Sequence, residues 1–368
     1  MGMNASSSGT QLSRGGGTQR SPAPPWTRTS NTGPCPGARA AARRSHCSPV
    51  SDTPAAWTRD PHSPRTSEPR ASAPTSKAAA SVPSLSLRTM GGPRALLAAL
   101  WALEAAGTAA LRIGAFNIQS FGDSKVSDPA CSSIIAKILA GYDLALVQEV
   151  RDPDLSAVSA LMEQINSVSE HEYSFVSSQP LGRDQYKEMY LFVYRKDEVS
   201  VVDTYLYPDP EDVFSREPFV VKFSAPSSAA QKLVLIPLHA APHQAVAEID
   251  ALYDVYLDVI DKWGTDDLLF LGDFNADCSY VREQDWAAIR LRSSEVFKWL
   301  IPDSADTTVG KSDCAYDRIV ACGARLRRSL KPQSATVHNF QEEFGLDQTQ
   351  ALAISDHFPV EVTLKSHR

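Results

Sequence analysis

Polar side chains that could bind metal or transfer protons recur in this sequence at the ends of apolar runs. The clearest case is LLFLGDFNADC (268–278), in which Asp273 and Asn275 follow four apolar residues typical of a buried strand. If the chain stays extended there, both side chains lie on one face. Active-site groups of layered α/β proteins gather at strand ends and adjoining loops. The other residues in such positions are Asn117, Glu149, Arg151, Tyr186, Glu188, His239, Asp317, Asp356 and His357.

These residue types suit one kind of chemistry. Amide and carboxylate oxygens without cysteine are the ligands that Mg²⁺ or Ca²⁺ prefers. Two histidines with carboxylates nearby suit general acid–base catalysis, and a divalent metal beside a phosphate neutralises developing charge and activates water. Together these features predict hydrolysis of a phosphodiester.

Each residue taken alone has a more ordinary interpretation. Asp-x-Asn is common in turns and helix caps, and His239 on an apolar strand is typical of a hydrogen-bonded core histidine. Tyr186 is typical of packing, and Glu149 after a buried strand is as typical of a capping or solvated residue. Their ordered recurrence along the chain is what favours a shared site.

The net charge is uneven along the 368-residue chain. Residues 1–89 contain 11 Lys and Arg against three acidic residues, whereas the remainder contains 25 against 40, a net charge of −15. Such a body is unlike a simple nucleic-acid-binding module, because phosphates repel it. An acidic site can still meet an anion when a divalent metal lies between them.

Composition divides the chain into three segments. Residues 1–89 are rich in Ser, Pro, Gly and Ala without periodicity, which predicts a disordered extension. Residues 90–110 have a basic start, an apolar run and a small-residue end, typical of a secretory signal rather than of a buried helix start. We expect translation to start normally at Met90 and the protein to be secreted; an extension that masks the signal would leave it cytoplasmic. No other apolar run is long enough to anchor the chain in a membrane.

Residues 111–368 are predicted to form one α/β domain. Helical periodicity occurs at 132–142, 153–166 and 245–263, and four strand-like runs between 172 and 225 favour antiparallel pairing. Further strands are predicted at 111–118, 143–150, 232–240, from 268 onwards and at 358–365. Two packed sheets covered by helices fit this pattern, but periodicity alone does not establish them. The four cysteines of this segment allow three full pairings, and their spacing does not choose among them.

The motifs, taken in order, resemble the deoxyribonuclease I family of the endonuclease/exonuclease/phosphatase superfamily from residue 111 to about residue 365. This resemblance implies an α+β fold, a four-layer α/β/β/α sandwich of two packed mixed sheets flanked by helices. It also implies a monomeric, Mg²⁺-dependent endonuclease that cuts double-stranded DNA to oligonucleotides ending in 5′-phosphate. The motifs that carry it are AFNIQSFG, VQEVRD, PLGRDQYKEMYLF, FSREPFVVKFS, GDFNADCSYV, CAYDRIV and LAISDHFPVEVTL.

The resemblance assigns roles to matching positions. Glu188 and His239 match a pair that supplies acid catalysis at the leaving oxygen, and Asp317 and His357 match a pair that polarises water. The positions that match residues holding the metal and the scissile phosphate are Asn117, Glu149, Asp273, Asn275 and Asp356, with Asp273 also counted as catalytic. The positions that match DNA-contacting residues are Arg151, Tyr186 and Arg216.

The resemblance also implies structural features away from the chemistry. It pairs Cys278 with Cys314 and leaves Cys131 and Cys322 as free, buried thiols. It suggests two structural Ca²⁺ sites, one at Asp212 and Glu217 and one at Asp306 and Thr308, although Lys311 places a cation near the second. The family's actin-binding patch corresponds to Phe175, Ser177 and Phe219; because Ser177 removes apolar area and Phe219 adds bulk, we expect weak or absent actin binding.

Two other functions compete with DNA cleavage. A phosphodiesterase of the same superfamily could act on sphingomyelin or inositol phosphates, but the DNA-contacting positions are present and no apolar lipid-binding insertion is visible. A non-catalytic DNA- or protein-binding relative is disfavoured because both histidine–carboxylate pairs are intact and the domain is acidic.

Overall fold

The computed structural model describes residues 110–367. The predicted extension (1–89) and all but the last residue of the predicted signal segment (90–110) lie outside the described residues. Within the described part of the chain, twelve strands form two six-stranded sheets. Each sheet contains one parallel pair of strands and is otherwise antiparallel, so both sheets are mixed.

The first sheet holds the beginning and the end of the domain. Its strands are β1 (Leu111–Phe121), β2 (Leu144–Val150), β3 (Tyr173–Ser177), β4 (Met189–Arg195), β11 (Thr336–Val337) and β12 (Val360–Leu364). Their order is β11-β12-β1-β2-β4-β3, with β1 and β2 parallel. The last strand therefore pairs with the first.

The second sheet is built from the middle of the chain. Its strands are β5 (Ser200–Leu206), β6 (Phe219–Ala225), β7 (Gln231–Pro237), β8 (Leu268–Asp273), β9 (Lys298–Trp299) and β10 (Asp317–Ala321). Their order is β5-β6-β7-β8-β10-β9, with β7 and β8 parallel.

Helices cover the outer faces of the sheets. The helices are α1 (Asp123–Val126), α2 (Pro129–Ala140), α3 (Ser156–Val168), α4 (Ala245–Trp263), α5 (Arg290–Ser293), α6 (Ala324–Ser329), α7 (Phe340–Glu343) and α8 (Gln348–Ile354). Short 3₁₀ turns occur at Pro242–Gln244 and Glu283–Ala288. Among the described residues, no helix is long and apolar enough to cross a bilayer.

Three separate hydrophobic cores show that the domain has four layers. One core lies between the sheets and contains Leu269 and Leu271 of β8. The alternate residues Leu268 and Phe270 pack outward against α4 in a second core, and the third core joins the first sheet to α2 and α3. Because both faces of β8 are covered, its sequence is continuously apolar rather than alternating. The four-layer α/β/β/α sandwich implied by the resemblance is confirmed.

Most predicted elements form, with shifted ends. The helix predicted at 245–263 has those bounds, whereas α2 begins three residues earlier than predicted. The cause is local: Asp128 accepts hydrogen bonds from the amides of Ala130 and Cys131, and Pro129 occupies the first helical position. The short elements α5 to α8 were not predicted, because four to seven residues carry too little periodicity.

The cysteines adopt the pairing implied by the resemblance. Cys278 and Cys314 form a disulfide, and Cys131 and Cys322 are free and buried. The disulfide joins the loop that follows β8 to the loop that precedes β10, so it ties together the two segments that carry Asp273 and Asp317.

Candidate active site

A histidine and a glutamate form the first half of the site. His239, just beyond the end of β7, donates from Nδ1 to Oε2 of Glu188 at 2.8 Å, and both side chains are buried. Arg216 binds the same carboxylate through Nε at 2.6 Å and the carbonyl of His239 through Nη1 at 3.0 Å. Burial lowers the pKa of His239, but the hydrogen bond to Glu188 and the charge of Asp273 outweigh it, so the pKa is raised.

A second histidine–carboxylate pair faces the first. His357 donates from Nδ1 to Oδ2 of Asp317 at 2.7 Å, and the amide of Asp317 donates to the hydroxyl of Thr307. Burial lowers the pKa of His357, but the charges of Asp317 and Asp273 raise it to about 10. The pair therefore holds its proton on the imidazole at neutral pH when no other charge intervenes.

Asp273 lies between the two pairs. The Nε2 atoms of His239 and His357 are each 3.6 Å from the same oxygen, Oδ2 of Asp273. Because each Nδ1 is bound to its own carboxylate, both Nε2 atoms face the space between the pairs. A phosphate placed there would have one imidazole on each side, as an acid and a base for in-line displacement require.

Glu149 reaches the site because the backbone of β2 is irregular. In β2, Leu144 and Leu146 face the core between the sheets, whereas Ala145 and Val147 face the helices, so regular alternation would point Glu149 away from the site. Instead the pairing register shifts between Val147 and Val150, and Glu149 has a φ of +57°. A bulge of this kind redirects a side chain.

A matching irregularity in β1 receives the redirected carboxylate. Ser120 has a φ of +52°, and its amide donates to Oε2 of Glu149 at 2.8 Å. Asn117 donates from Nδ2 to Oε1 of Glu149 and to Oδ2 of Asp273, both at 3.1 Å. The first sheet is thus fixed to the Asp273 carboxylate of the second.

The donors of the site fit a divalent cation. Two groups of three ligating side chains lie here, one formed by Glu149, Glu188 and His239 and the other by Asp273, Asp317 and His357. Three oxygens nearby are buried without a hydrogen-bond partner: Oδ1 of Asn117, Oδ1 of Asp317 and Oδ1 of Asp356. Unpartnered buried oxygens are costly unless a cation or water binds them, and oxygen ligands suit a hard divalent ion.

Asn275 corrects one expectation. Strand β8 ends at Asp273, and Asn275 has a φ of +49°, so the chain turns rather than staying extended. The turn is held because the amide of Asn275 donates to Oδ1 of Asp273 and its Nδ2 donates to the carbonyl of Ala240. Asn275 therefore stays beside Asp273 through a loop and not through strand alternation.

Asp356 lies at the rim of the site. Its Oδ1 is 4.0 Å from Nε2 of His357, and its Oδ2 accepts a hydrogen bond from Gln119. The nearby Ser355 is fully buried, and its hydroxyl donates to the carbonyl of Asn117 at 2.6 Å. This contact fixes the segment before β12 against the end of β1.

Two residues with structural roles at the site were missed by sequence reasoning. Gln148 is buried between the sheets, where Nε2 donates to the carbonyl of Leu238 and Oε1 accepts from the amide of Asp273, both at 2.8 Å. Gly272 has a φ of +124°, and a Cβ there would lie 2.6 Å from Gln148. The only sequence signals were a polar residue inside an apolar strand and a glycine near the end of β8.

Arg318, next to Asp317, was also missed. It is fully buried and donates to the carbonyls of Ala315, Ile301 and Ala276 and to the carboxylate of Asp303. A buried guanidinium that binds three loop carbonyls fixes the loops around Asp317. No role was assigned to this arginine from the sequence.

Of the three residues predicted to contact DNA, two are exposed and one is mostly buried. Arg151 and Tyr186 are exposed, and the guanidinium lies over the ring at 4.4 Å. Arg216 is only 16% exposed and is engaged with Glu188. The structure thus brings Arg216 to the Glu188–His239 pair, and its contact with DNA stays a prediction.

Of the residues predicted to bind calcium, Thr308 lies beside the site, because it forms an isolated β-bridge with His357. Oδ1 of Asp306 accepts from both the amide and the hydroxyl of Thr308. Asp212 pairs with Arg183 at 3.1 Å, and none of these residues nor Glu217 belongs to a group of three ligating side chains in the described region. Phe219 was expected to add bulk to the surface patch that corresponds to the actin-binding patch. This expectation is wrong, because Phe219 is buried between the sheets.

Comparison with known proteins now assigns the class. Residues 114–357 match the Endonuclease/Exonuclease/phosphatase family, and the chain belongs to this family. It is 90% identical to "Deoxyribonuclease-1-like 2" of Homo sapiens over 299 residues, which cover 76% of this chain and 100% of that protein. It is 82% identical to the Mus musculus protein of that name over 76% of this chain and 100% of the relative, and 58% identical to "Deoxyribonuclease-1" of Gallus gallus over 74% and 97%.

A solved structure supports the fold alone. A crystal structure of humanized D. rerio TDP2 aligns with a TM-score of 0.50 at 18% identity, over 70% of this chain and 99% of that one. The resemblance to the deoxyribonuclease I family is confirmed by the sequence relatives.

Proposed function

We propose that this protein is a divalent-metal-dependent endonuclease that hydrolyses phosphodiester bonds of double-stranded DNA and leaves 5′-phosphate ends. The observation that carries the proposal is the convergence of His239 and His357 on one oxygen of Asp273, each 3.6 Å away. Relatives named as deoxyribonucleases, 54% to 90% identical, support DNA as the substrate.

The two imidazoles divide the proton transfers. Glu188 orients His239 so that Nε2 delivers a proton to the leaving oxygen, and Arg216 keeps Glu188 ionised. Burial raises the pKa of Glu188, but the hydrogen bond and charge of His239 and the charge of Arg216 outweigh it and lower the pKa. Asp317 orients His357 so that its Nε2 accepts a proton from the attacking water. A positioned acid or base contributes about 10²–10⁴-fold in rate.

We propose Mg²⁺ as the metal, held by Asn117, Glu149, Asp273 and Asp356. Oxygen donors and the absence of thiolates among these ligands favour a hard cation. When bound, the ion neutralises charge on the phosphate. A cation held by these residues would also offset the carboxylates around His357 and favour its neutral form, as the role of a base requires.

Arg151 and Tyr186 suit contact with the DNA minor groove. Both are exposed at the rim beside Glu188, and a cation stacked on a ring presents a flat, positively charged surface. Arginine suits a narrow groove with enhanced negative potential. Substrate binding therefore depends on this local charge rather than on the acidic body.

Three finer assignments complete the proposal. We expect a monomer with weak or absent actin binding. Structural Ca²⁺ at the Asp306 and Asp212 loops has less support, because internal hydrogen bonds and Arg183 already engage these carboxylates. Calcium titration followed by thermal unfolding tests both loops, since a site that binds the folded state raises Tm.

Secretion is proposed from the signal-like segment at 90–110. The Cys278–Cys314 disulfide supports an oxidising destination. A chain starting at Met90 should reach the medium of expressing cells; if it stays in the cytosol while the chain starting at Met1 is exported, the proposal is wrong.

Purified protein assayed on supercoiled plasmid beside sphingomyelin and inositol phosphates tests the function. We expect metal-dependent nicking of plasmid and no turnover of either alternative substrate. Faster hydrolysis of sphingomyelin than of DNA would replace this proposal with the lipid phosphodiesterase.

A further inference from the structure

A cleft lined by basic residues lies at the end of the sandwich opposite the active site. Its volume is about 470 Å³, and its cationic lining residues are Lys298, Arg327, Arg328, Lys331 and Lys365. The strands give its position. Asp317 begins β10, and His357 lies just before β12. The cleft lies at the other ends of these strands, where Lys298 pairs with Ala321 at the end of β10 and Lys365 follows β12. A five-residue strand spans about 17 Å, so one strand length separates the two regions.

The cationic groups of this basic cleft have no carboxylate partners. Among residues 110–367, none of the five makes an ion pair within 4.0 Å, and no acidic residue lines the cleft. Most other arginines of the domain are paired, for example Arg292 with Asp303 and Arg325 with Asp267. Five unpaired cations in one cleft are unexpected, because acidic residues outnumber basic ones by 15 in residues 90–368.

The local fold keeps these charges close together. Leu326 and Ser329 bury one face of α6, which leaves Arg327 and Arg328 exposed. Lys365 donates to the carbonyl of Arg328 at 2.8 Å, and Arg327 donates to the carbonyl of Glu295 at 3.4 Å. Carbonyl contacts hold the side chains without neutralising them, so a bound anion would relieve their mutual repulsion.

We propose that the basic cleft binds the phosphate backbone of a second DNA segment while the active site holds the segment being cut. This inference rests on the proposed function. Several fixed cations suit a polyanion with closely spaced charges. Holding long DNA at two places raises its local concentration at the active site.

The length of the substrate provides the test. A duplex of roughly 12 base pairs, little more than one helical turn, is too stiff to bend around the domain, whose opposite ends carry the two sites. We compare Arg328→Glu/Lys331→Glu with the control Lys137→Glu/Lys262→Glu, which reverses two exposed lysines on the outer helices α2 and α4. Both doubles change the net charge equally.

For the cleft variant we expect kcat/KM on plasmid to fall roughly tenfold. We also expect the negative slope of log kcat/KM against log salt concentration to become shallower by about 2. Cleavage of the short duplex should be unchanged, and the control should match wild type on both substrates. Equal losses on both substrates, or equal behaviour of the two variants, would overturn the proposal.

Two further measurements distinguish DNA from a membrane as the ligand of the basic cleft. Binding of a long duplex in EDTA, followed by fluorescence anisotropy, tests the cleft without cleavage, so a failed nuclease assay does not obscure the result. Sedimentation with phosphatidylserine vesicles tests a membrane surface. Loss of vesicle binding in the cleft variant, with DNA binding unchanged, would assign the cleft to lipid and reject DNA.

Discussion

Gln148 and Asp273 are joined across the two sheets, because the amide of Asp273 donates to Oε1 of Gln148 at 2.8 Å. Gln148 belongs to β2 of the first sheet, and Asp273 ends β8 of the second. The same side chain donates to the carbonyl of Leu238, one residue before His239. One uncharged residue therefore sets the spacing between the carboxylate and an imidazole of the site.

Replacing Gln148 tests this role. Gln148→Met keeps the volume but leaves a buried amide and a buried carbonyl unpaired, so we expect a loss of about 2–4 kcal/mol in unfolding free energy. We also expect kcat on plasmid to fall by at least tenfold with a small change in KM, because a displaced Asp273 misplaces the reacting groups. Steady-state kinetics and urea unfolding measure the two effects. An unchanged kcat in a folded variant would show that Gln148 does not position the site.

The histidines are expected to be essential for cleavage and dispensable for folding. His239→Ala and His357→Ala should each reduce plasmid nicking by about 10²–10⁴-fold, because each removes one proton-transfer group. The matched control is His171→Ala, which removes an exposed histidine paired with Asp197. Near-normal nicking by either site variant would contradict the assigned roles.

Metal binding should be detectable without cleavage. Mg²⁺ is expected to raise Tm of the wild-type protein. Glu149→Gln or Asn117→Leu should reduce that increase in Tm, because Glu149 belongs to a group of ligating side chains and Asn117 contacts it. Differential scanning fluorimetry with and without EDTA gives the values. A full Mg²⁺ shift in both variants would place the ion elsewhere, and full nicking activity in excess EDTA would reject the metal requirement.

The disulfide should contribute to stability. Cys278 and Cys314 are 36 residues apart, and closing such a loop stabilises the fold by about 4 kcal/mol in the chain-entropy model. We expect Cys278→Ser/Cys314→Ser to unfold at lower urea concentration and to lose activity earlier on heating. Cys131→Ser/Cys322→Ser serves as a comparison, since it changes two thiols without opening a loop. Insensitivity of the wild-type protein to reductant would oppose the prediction.

Asp303 should make stability depend on pH. Burial raises its pKa, but the hydrogen bond and charge of Arg318 outweigh this and lower it. A lowered folded-state pKa adds stability above the unfolded value, and that stability is lost as pH falls through the folded pKa. The Asp303 side chain is 49% exposed, so solvent screens its pairing with Arg318, and Asp303→Asn should cost only about 0.2–1 kcal/mol at neutral pH.

The difference between Asp303→Asn and wild type should shrink below about pH 4. Urea unfolding at several pH values measures it, with exposed Asp261→Asn as the control. A difference that stays constant with pH would mean that the charge of Asp303 does not stabilise Arg318.

Sequence reasoning located the residues that converge at the candidate site better than the framework that holds them. Asp273, His239 and His357 could be identified because they are polar residues beside apolar strands, and the order of the motifs indicated the family. The orientation of Glu149 was not predictable in this way, because it depends on a bulge in β2 that regular alternation does not encode.

Other features depend on contacts distant in sequence. Gln148 reaches Asp273 across 125 positions, and Arg318 reaches Ala276 across 42. Local periodicity carries no information about such contacts. The basic cleft could not be predicted for the same reason, because Lys298, Lys331 and Lys365 become neighbours only when β9, α6 and β12 assemble.

The pairing of the last strand with the first has a consequence for biosynthesis. β12 enters the sheet beside β1, and His357 and Asp356 lie just ahead of it. A nascent chain that ends before this point lacks the histidine proposed to activate water, however well its earlier strands have paired. Under the proposed function, the topology therefore keeps chains that stop short of His357 harmless to nucleic acid.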